Sequence, residues 1–160
     1  NVEEQIKCIV ENIPLGSLFV LGKGECEAIA KEGALKIKEV SYLHAEGYSS
    51  SALKHGPFAL IQHKTPIIII DICKKYHEKN LNACNETLSR GSLNIIITND
   101  NSLYANHNIP EENIIPIENN ETYNSLIANI CIQLISYYLS IKFNYNPDFP
   151  RNLAKVVTVE

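Results

Sequence analysis

Apolar residues along this chain come in two arrangements that alternate, short unbroken runs and helical stripes. "SLFVLG" (Ser17–Gly22), "PIIIIDIC" (Pro66–Cys73) and "LNIIIT" (Leu93–Thr98) are compact and rich in bulky residues, with little polar alternation. Runs of that kind read as strands buried on both faces. "NIIPIE" (Asn113–Glu118) reads as a fourth strand, and Pro116 assigns it to a sheet edge, where a missing N–H is tolerated. Helical patterns separate the runs. Val2–Asn12 carries Ile6, Ile9 and Val10 on one side, and Lys75–Arg90 turns Leu81, Cys84 and Leu88 inward. Glu25–Glu46 is a long helical stretch, and Asn120–Lys142 is the longest and most apolar. "SSSALKHGPFALI" offers capping serines, a short helical segment and a Gly-Pro pair inside it. Strands without alternation, separated by helices, predict an α/β fold. We expect a parallel sheet of four or five strands in a three-layer sandwich, with right-handed crossovers.

The stretch "EGALKIKEVSYLHAE" (Glu32–Glu46) raises a question of charge. At about 100° per residue, Ala30, Ala34, Ile37 and Ser41 fall together, flanked by Ile29 and Val40, and predict the side packed on the sheet. Glu27, Lys31 and Lys38 gather on an adjoining solvent side. Glu25, Glu32, Lys36, Glu39 and Leu43 form a third stripe. Surface ion pairs would account for that stripe at roughly 0.2–0.5 kcal/mol each. A lysine between two glutamates, interleaved with Leu35 and Leu43, also has the composition of a partly enclosed acid–base site. There a carboxylate can act as base while the ammonium steadies developing negative charge.

Composition narrows the alternatives. A length of 160 residues, 45% of them hydrophobic, suits one domain with a full core. A net charge of −4 gives no electrostatic footprint for nucleic acid or an anionic membrane. The longest apolar run is broken by Asp71 and is far too short to span a bilayer. No basic, apolar and small-residue leader opens the chain, and it begins at Asn1 without any methionine, so a piece of something longer is expected. The five cysteines (Cys8, Cys26, Cys73, Cys84, Cys131) form no C-x-x-C pair, and the five histidines form no H-x-x-x-H pair. Reduced thiols in a cytoplasmic protein are expected, without metal or cofactor.

Three further features bear on chemistry. "LGKGE" after the first strand places G-x-G where a dinucleotide loop would sit, but the third glycine position is Glu27 and the fingerprint fails. Glu25 and Glu27 would also repel a phosphate at the next helix's start, so this loop reads as structural. His55 in "LKHGPF" lies at a bend between serines and the Phe58–Leu60 patch; a lone histidine is usually structural or exposed, but it is also the natural proton carrier at neutral pH. Lys155 sits among Leu153, Ala154, Val156 and Val157, and burial there would lower its pKa towards that of a Schiff-base amine.

"EGALKIKEVSYLHAEGYSSSALKHGPFALI" and the terminal "PRNLAKVVTVE" closely resemble the second sugar-isomerase (SIS) domain of the glutamine–fructose-6-phosphate aminotransferases (isomerising). The resemblance spans the chain, strong in Glu25–Ile61 and Pro150–Glu160 and loose in the Asn-rich middle. It implies a single SIS domain over residues 1–160, part of an enzyme that makes glucosamine 6-phosphate from fructose 6-phosphate and glutamine. By that resemblance, Glu39 is the base that moves a proton between C1 and C2, and Lys36 assists at the sugar's oxygens. His55 takes part in ring opening and is supplied to a neighbouring subunit's site, which implies a homodimer. Lys155 forms a Schiff base with the ketose C2, and Glu32, Ala154 and Arg151 match positions lining the same site. The family's phosphate cradle belongs to a first SIS domain and its ammonia to a glutaminase domain, so the isolated chain is expected to lack turnover. Two other readings stand beside this one. One is a different sugar-phosphate isomerase or sensing SIS protein, and the other is a dimerisation module without chemistry.

Overall fold

The computed structural model describes residues 1–120 and 122–152. Five parallel strands form one sheet: β1 (Ser17–Gly22), β2 (His44–Ser49), β3 (Pro66–Asp71), β4 (Leu93–Thr98) and β5 (Ile114–Pro116), in the order β2-β1-β3-β4-β5. The predicted runs are all strands, and Pro116 ends the edge strand β5 as its missing N–H requires. Four helices accompany them: α1 (Val2–Glu11), α2 (Glu25–Ser41), α3 (His77–Leu88) and α4 (Asn124–Lys142).

Strand side chains divide the core by alternation. Leu18, Val20, Ala45, Ile68, Ile70, Ile95, Ile97 and Ile115 pack with α1, α2 and α4 on one face. Phe19, Leu21, Ile67, Ile69, Ile96 and Ile114 face the other way, against α3 and the short 3₁₀ turns. Because both faces are covered, no strand needs a polar side, which explains the continuous apolar runs. The three-layer sandwich predicted from the sequence is therefore the observed one.

The long helical stretch does not hold to Glu46. Helix α2 stops at Ser41 because Tyr42 adopts the left-handed region (φ 58), and His44–Ser49 turns back as the edge strand β2 beside β1. Leu43 is accordingly buried in the core and belongs to no helical stripe. Its near neighbour Gly47 explains how close helix and strand lie. A Cβ there would sit 2.6 Å from the Ala30 carbonyl oxygen, backbone that cannot yield.

Lys142 on α4 ties two helices together. Its Nζ donates to the carbonyls of Val10, Glu11 and Ile13 at 2.7–2.9 Å, capping the carboxyl end of α1. Apolar α4 buries Ala128, Cys131, Ile132, Ile135 and Leu139, whereas Leu126, Ile130, Tyr137 and Ile141 lie exposed on its outer side. Burial pushes the Cys26, Cys84 and Cys131 thiols up to about 11, so they serve as core residues.

On the opposite face, the buried Asp71 carboxylate closes the end of β3. It accepts from Tyr104 Oη (2.7 Å) and Asn80 Nδ2 (2.8 Å) and lies 2.5 Å from His77 Nδ1. Asn80 Oδ1 in turn accepts from Ser50 Oγ at 2.6 Å, which fastens the start of the 3₁₀ turn Ser50–His55 to α3. Tyr104→Phe would leave one lone pair of a buried carboxylate unsatisfied. We expect a loss of about 1–3 kcal/mol in urea unfolding, with an unchanged denaturant slope; an unchanged midpoint would show that water replaces the phenol.

Candidate active site

Where α2 ends, its outer side carries the charges that the sequence singled out. Lys36 Nζ donates to Glu39 Oε2 at 2.7 Å, three residues along the helix, and approaches Glu32 Oε1 at 3.6 Å, four residues back. The helical repeat makes both contacts, since residues three and four apart share a face. Lys36 and Glu39 are each half-buried, so the pair is partly shielded from water. The bond to Glu39 first, with the charges of Glu39 and Glu32, holds the Lys36 ammonium above the ordinary lysine value despite burial. Because the shift is upward, the contribution of this contact is fully present below the ordinary value of 10.5. It is lost only as pH rises through the raised one, so Lys36 is charged across the neutral range.

Beside Glu39 lies an open depression of about 570 Å³, lined by Leu35, Lys38, Tyr42, Leu43, Arg151 and Asn152 among others. Arg151 thus reaches the same place as Glu39 although 112 positions separate them in the chain. Its guanidinium lies over the Tyr42 ring at 4.1 Å, and its backbone N–H donates to Tyr42 Oη at 2.7 Å. A carboxylate held by an ammonium at the rim of such a depression can accept a proton from a bound ligand, and the ammonium can steady an oxygen that gains charge.

The remaining expected residues divide into three groups. Glu32 stands with Lys36 as predicted. Glu25 does not, because it opens α2 and lines a cavity of about 550 Å³ with Asp71 and His77 at the other end of the sheet. His55 is exposed at the end of the Ser50–His55 turn, which follows the carboxyl end of β2, whereas Glu39 lies by its amino end. Six residues of strand separate those ends by about 17 Å. One chain therefore holds His55 and Glu39 apart. Ala154 and Lys155 fall outside the described residues.

One solvent assignment also changes. Lys31 is the exposed, ion-paired residue expected, 2.8 Å from Glu27, but Lys38 is exposed at the rim of the depression. Tyr42, Tyr145 and His44 were not singled out from the sequence. The available signal was the aromatic residue directly after the charged stripe, which periodicity assigned to a continuing helix. In the "LGKGE" loop, a Cβ on Gly22 would meet the Cys26 backbone, so this glycine serves close packing of α2. That supports the structural reading.

Comparison with known proteins adds to this geometry. The chain is 48% identical over 144 residues to the "Probable glutamine--fructose-6-phosphate aminotransferase [isomerizing]" of Acanthamoeba polyphaga mimivirus, covering 90% of this chain and 23% of that relative. It is 37% identical over 160 residues to the glutamine–fructose-6-phosphate aminotransferase (isomerising) of Caulobacter vibrioides, covering 99% of this chain and 26% of that relative. The chain thus spans about a quarter of the length of these curated relatives. Among solved structures, the C-terminal domain of glucosamine-fructose-6-phosphate aminotransferase from Francisella tularensis superposes with a TM-score of 0.83 at 31% identity, covering 91% of this chain and 41% of that one. The family model described as SIS domain matches residues 14–142, which reach from just before β1 to the last residue of α4. On that match, which covers more than half of its residues, the chain belongs to the SIS domain family.

Proposed function

We propose that this chain is the second half of the isomerase unit of a glutamine–fructose-6-phosphate aminotransferase, acting on fructose 6-phosphate in a cytoplasmic homodimer to yield glucosamine 6-phosphate. The observation that carries the proposal is the Lys36–Glu39 pair at 2.7 Å beside a depression that the carboxyl-terminal residues Arg151 and Asn152 also line. Lys155 condenses with the C2 carbonyl of the open-chain ketose with loss of water, and ammonia released from glutamine then displaces the lysine amine, leaving an imine at C2. Glu39 then takes a proton from C1 and returns one to C2, converting ketose to aldose. Lys36 holds the sugar oxygens as charge shifts onto them. Glu32, Ala154 and Arg151 line the sugar. No phosphate cradle is assigned to this chain; the phosphate group falls to the parent's first SIS domain, and ammonia to its glutaminase domain.

Two features support a larger assembly. His55 is exposed and about 17 Å of strand separates its end of β2 from that of Glu39, as expected if it serves a neighbouring copy. The apolar outer side of α4 also has the character of a surface packed against further protein. Turnover accordingly belongs to the assembled parent and not to the isolated 160 residues.

Reductive trapping tests the proposal. The parent enzyme is incubated with fructose 6-phosphate, reduced with borohydride and mapped by peptide mass spectrometry. We expect a sugar-phosphate adduct on Lys155 that Lys155→Arg abolishes. A folded, sugar-binding parent without that adduct would favour a sensing or dimerisation module.

A further inference from the structure

The His55 ring is exposed, and among the described residues the histidine side-chain hydrogen bonds belong to His44, His77 and His107. His55 therefore takes its position from the backbone that carries it. That backbone is tied to helix α3 and its end at Ser50, Lys54 and Phe58, on either side of His55. Ser50 Oγ donates to Asn80 Oδ1 at 2.6 Å, and Lys54 Nζ lies 2.6 Å from Glu86 Oε1. Just past α3, the Arg90 guanidinium lies 4.6 Å from the Phe58 ring centroid.

These ties are unequal. Lys54 and Arg90 are exposed, and an ion pair in water holds little. Ser50 and Asn80 are both buried, Asn80 completely, which shields their bond from exchange with water. A carboxylate only accepts, so Asp71 dictates which way the Asn80 amide faces. Its Nδ2 donates to Asp71 Oδ1 at 2.8 Å, and its Oδ1 is left for Ser50. Asp71 is fixed in turn by Tyr104 Oη at 2.7 Å and His77 Nδ1 at 2.5 Å. Leu53 seats the middle of the turn in the core of the same face. Beyond His55 the hold ends: Gly56 (φ 143) turns the chain with open space where a Cβ would be. The fixed point lies upstream, at Ser50.

We infer that Asn80 is a positioning residue for His55, clamping the first residue of its turn to the buried Asp71 carboxylate so that the imidazole is presented outward in one place. This inference rests on the reading above that His55 serves a neighbouring copy. Asn80 lies on the buried side of α3 with Ala83, Cys84 and Thr87, and does not reach substrate. It acts through Ser50 and the turn. A reacting group displaced by about 1 Å can cost about 10²-fold in rate, and loss of one hold among several should cost about tenfold.

The test uses full-length parent subunits that exchange, each carrying one substitution, with turnover counted per Asn80→Ala subunit. We expect Asn80→Ala alone to turn over about tenfold more slowly than the parent. Excess Glu39→Gln subunits should then return each Asn80→Ala subunit to the parental rate, because its intact Glu39 now meets a well-placed His55 from its partner. Excess His55→Ala subunits should give no such rise. Ser50→Ala leaves the Asn80–Asp71 bond standing and should show the same pattern more weakly; it carries the test if Asn80→Ala does not fold. A parental rate in both variants overturns the inference. So does a loss that Glu39→Gln subunits cannot repair, since that loss lies in the variant's own site or its own fold. If Glu39→Gln subunits do not repair His55→Ala either, the neighbour reading of His55 has failed and the inference falls with it.

Discussion

Glu39→Gln in the full-length parent enzyme is expected to lower sugar-phosphate isomerisation by about 10²–10⁴-fold while the fold is kept. The substitution conserves shape, and the amide oxygen can still accept from Lys36 Nζ, which now donates to Glu39 Oε2 at 2.7 Å. What disappears is the ability to take up and return a proton. Because Glu39 lies on a helix surface, outside both core clusters, little stability should be lost. Isomerisation is followed by exchange of the C1 hydrogen of fructose 6-phosphate in deuterated water, with ligand binding as control. Retained exchange at the parental rate would remove Glu39 from the proton-transfer step and leave the pair as an ordinary surface contact.

The second large effect is a recovery. His55→Ala and Glu39→Gln, each inactive alone, should regain activity when the two purified parents are mixed and allowed to exchange subunits. The reason lies in topology. Helix α2 begins beyond the carboxyl ends of the strands and returns to their amino ends, leaving Glu39 near His44, the first residue of β2. His55 follows the last residue of that strand through the Ser50–His55 turn. A proton carrier must come within hydrogen-bond reach of its target, and about 17 Å of strand stands between these two ends in one chain. If a neighbouring copy supplies His55, a mixed dimer contains one site with both native residues and one with neither. Random exchange then restores roughly a quarter of the sites. Failure to recover at any mixing ratio, with exchange verified by two different tags, would mean that His55 acts within its own chain or not at all.

The same topology explains why the two faces of the question were unequally legible. Buried parallel strands need apolar residues at every position, so "SLFVLG" and "PIIIID" declare themselves in one dimension. "HAEGYS" did not, because β2 is an edge strand with a single neighbour and mixed burial. Its residues tolerate a helix, and nothing local announces that Tyr42 turns left-handed. The stop comes from contacts with Arg151 and Tyr145, more than a hundred residues away in the chain.

By itself, the sequence determined the layers, the strand cores and the Glu32–Lys36–Glu39 stripe, because burial and the helical repeat act over a few residues. Resemblance in the quoted motifs added the family. Only the tertiary structure decided that Glu25 leaves the stripe for the opposite end of the sheet, that Lys38 borders the site, and that His55 and Glu39 cannot meet in one chain. It also decided that Arg151 packs on Tyr42, at the point where helix α2 gives way to strand β2. Each of those depends on where the chain returns after a strand crossover, a distance that no local pattern of side chains encodes.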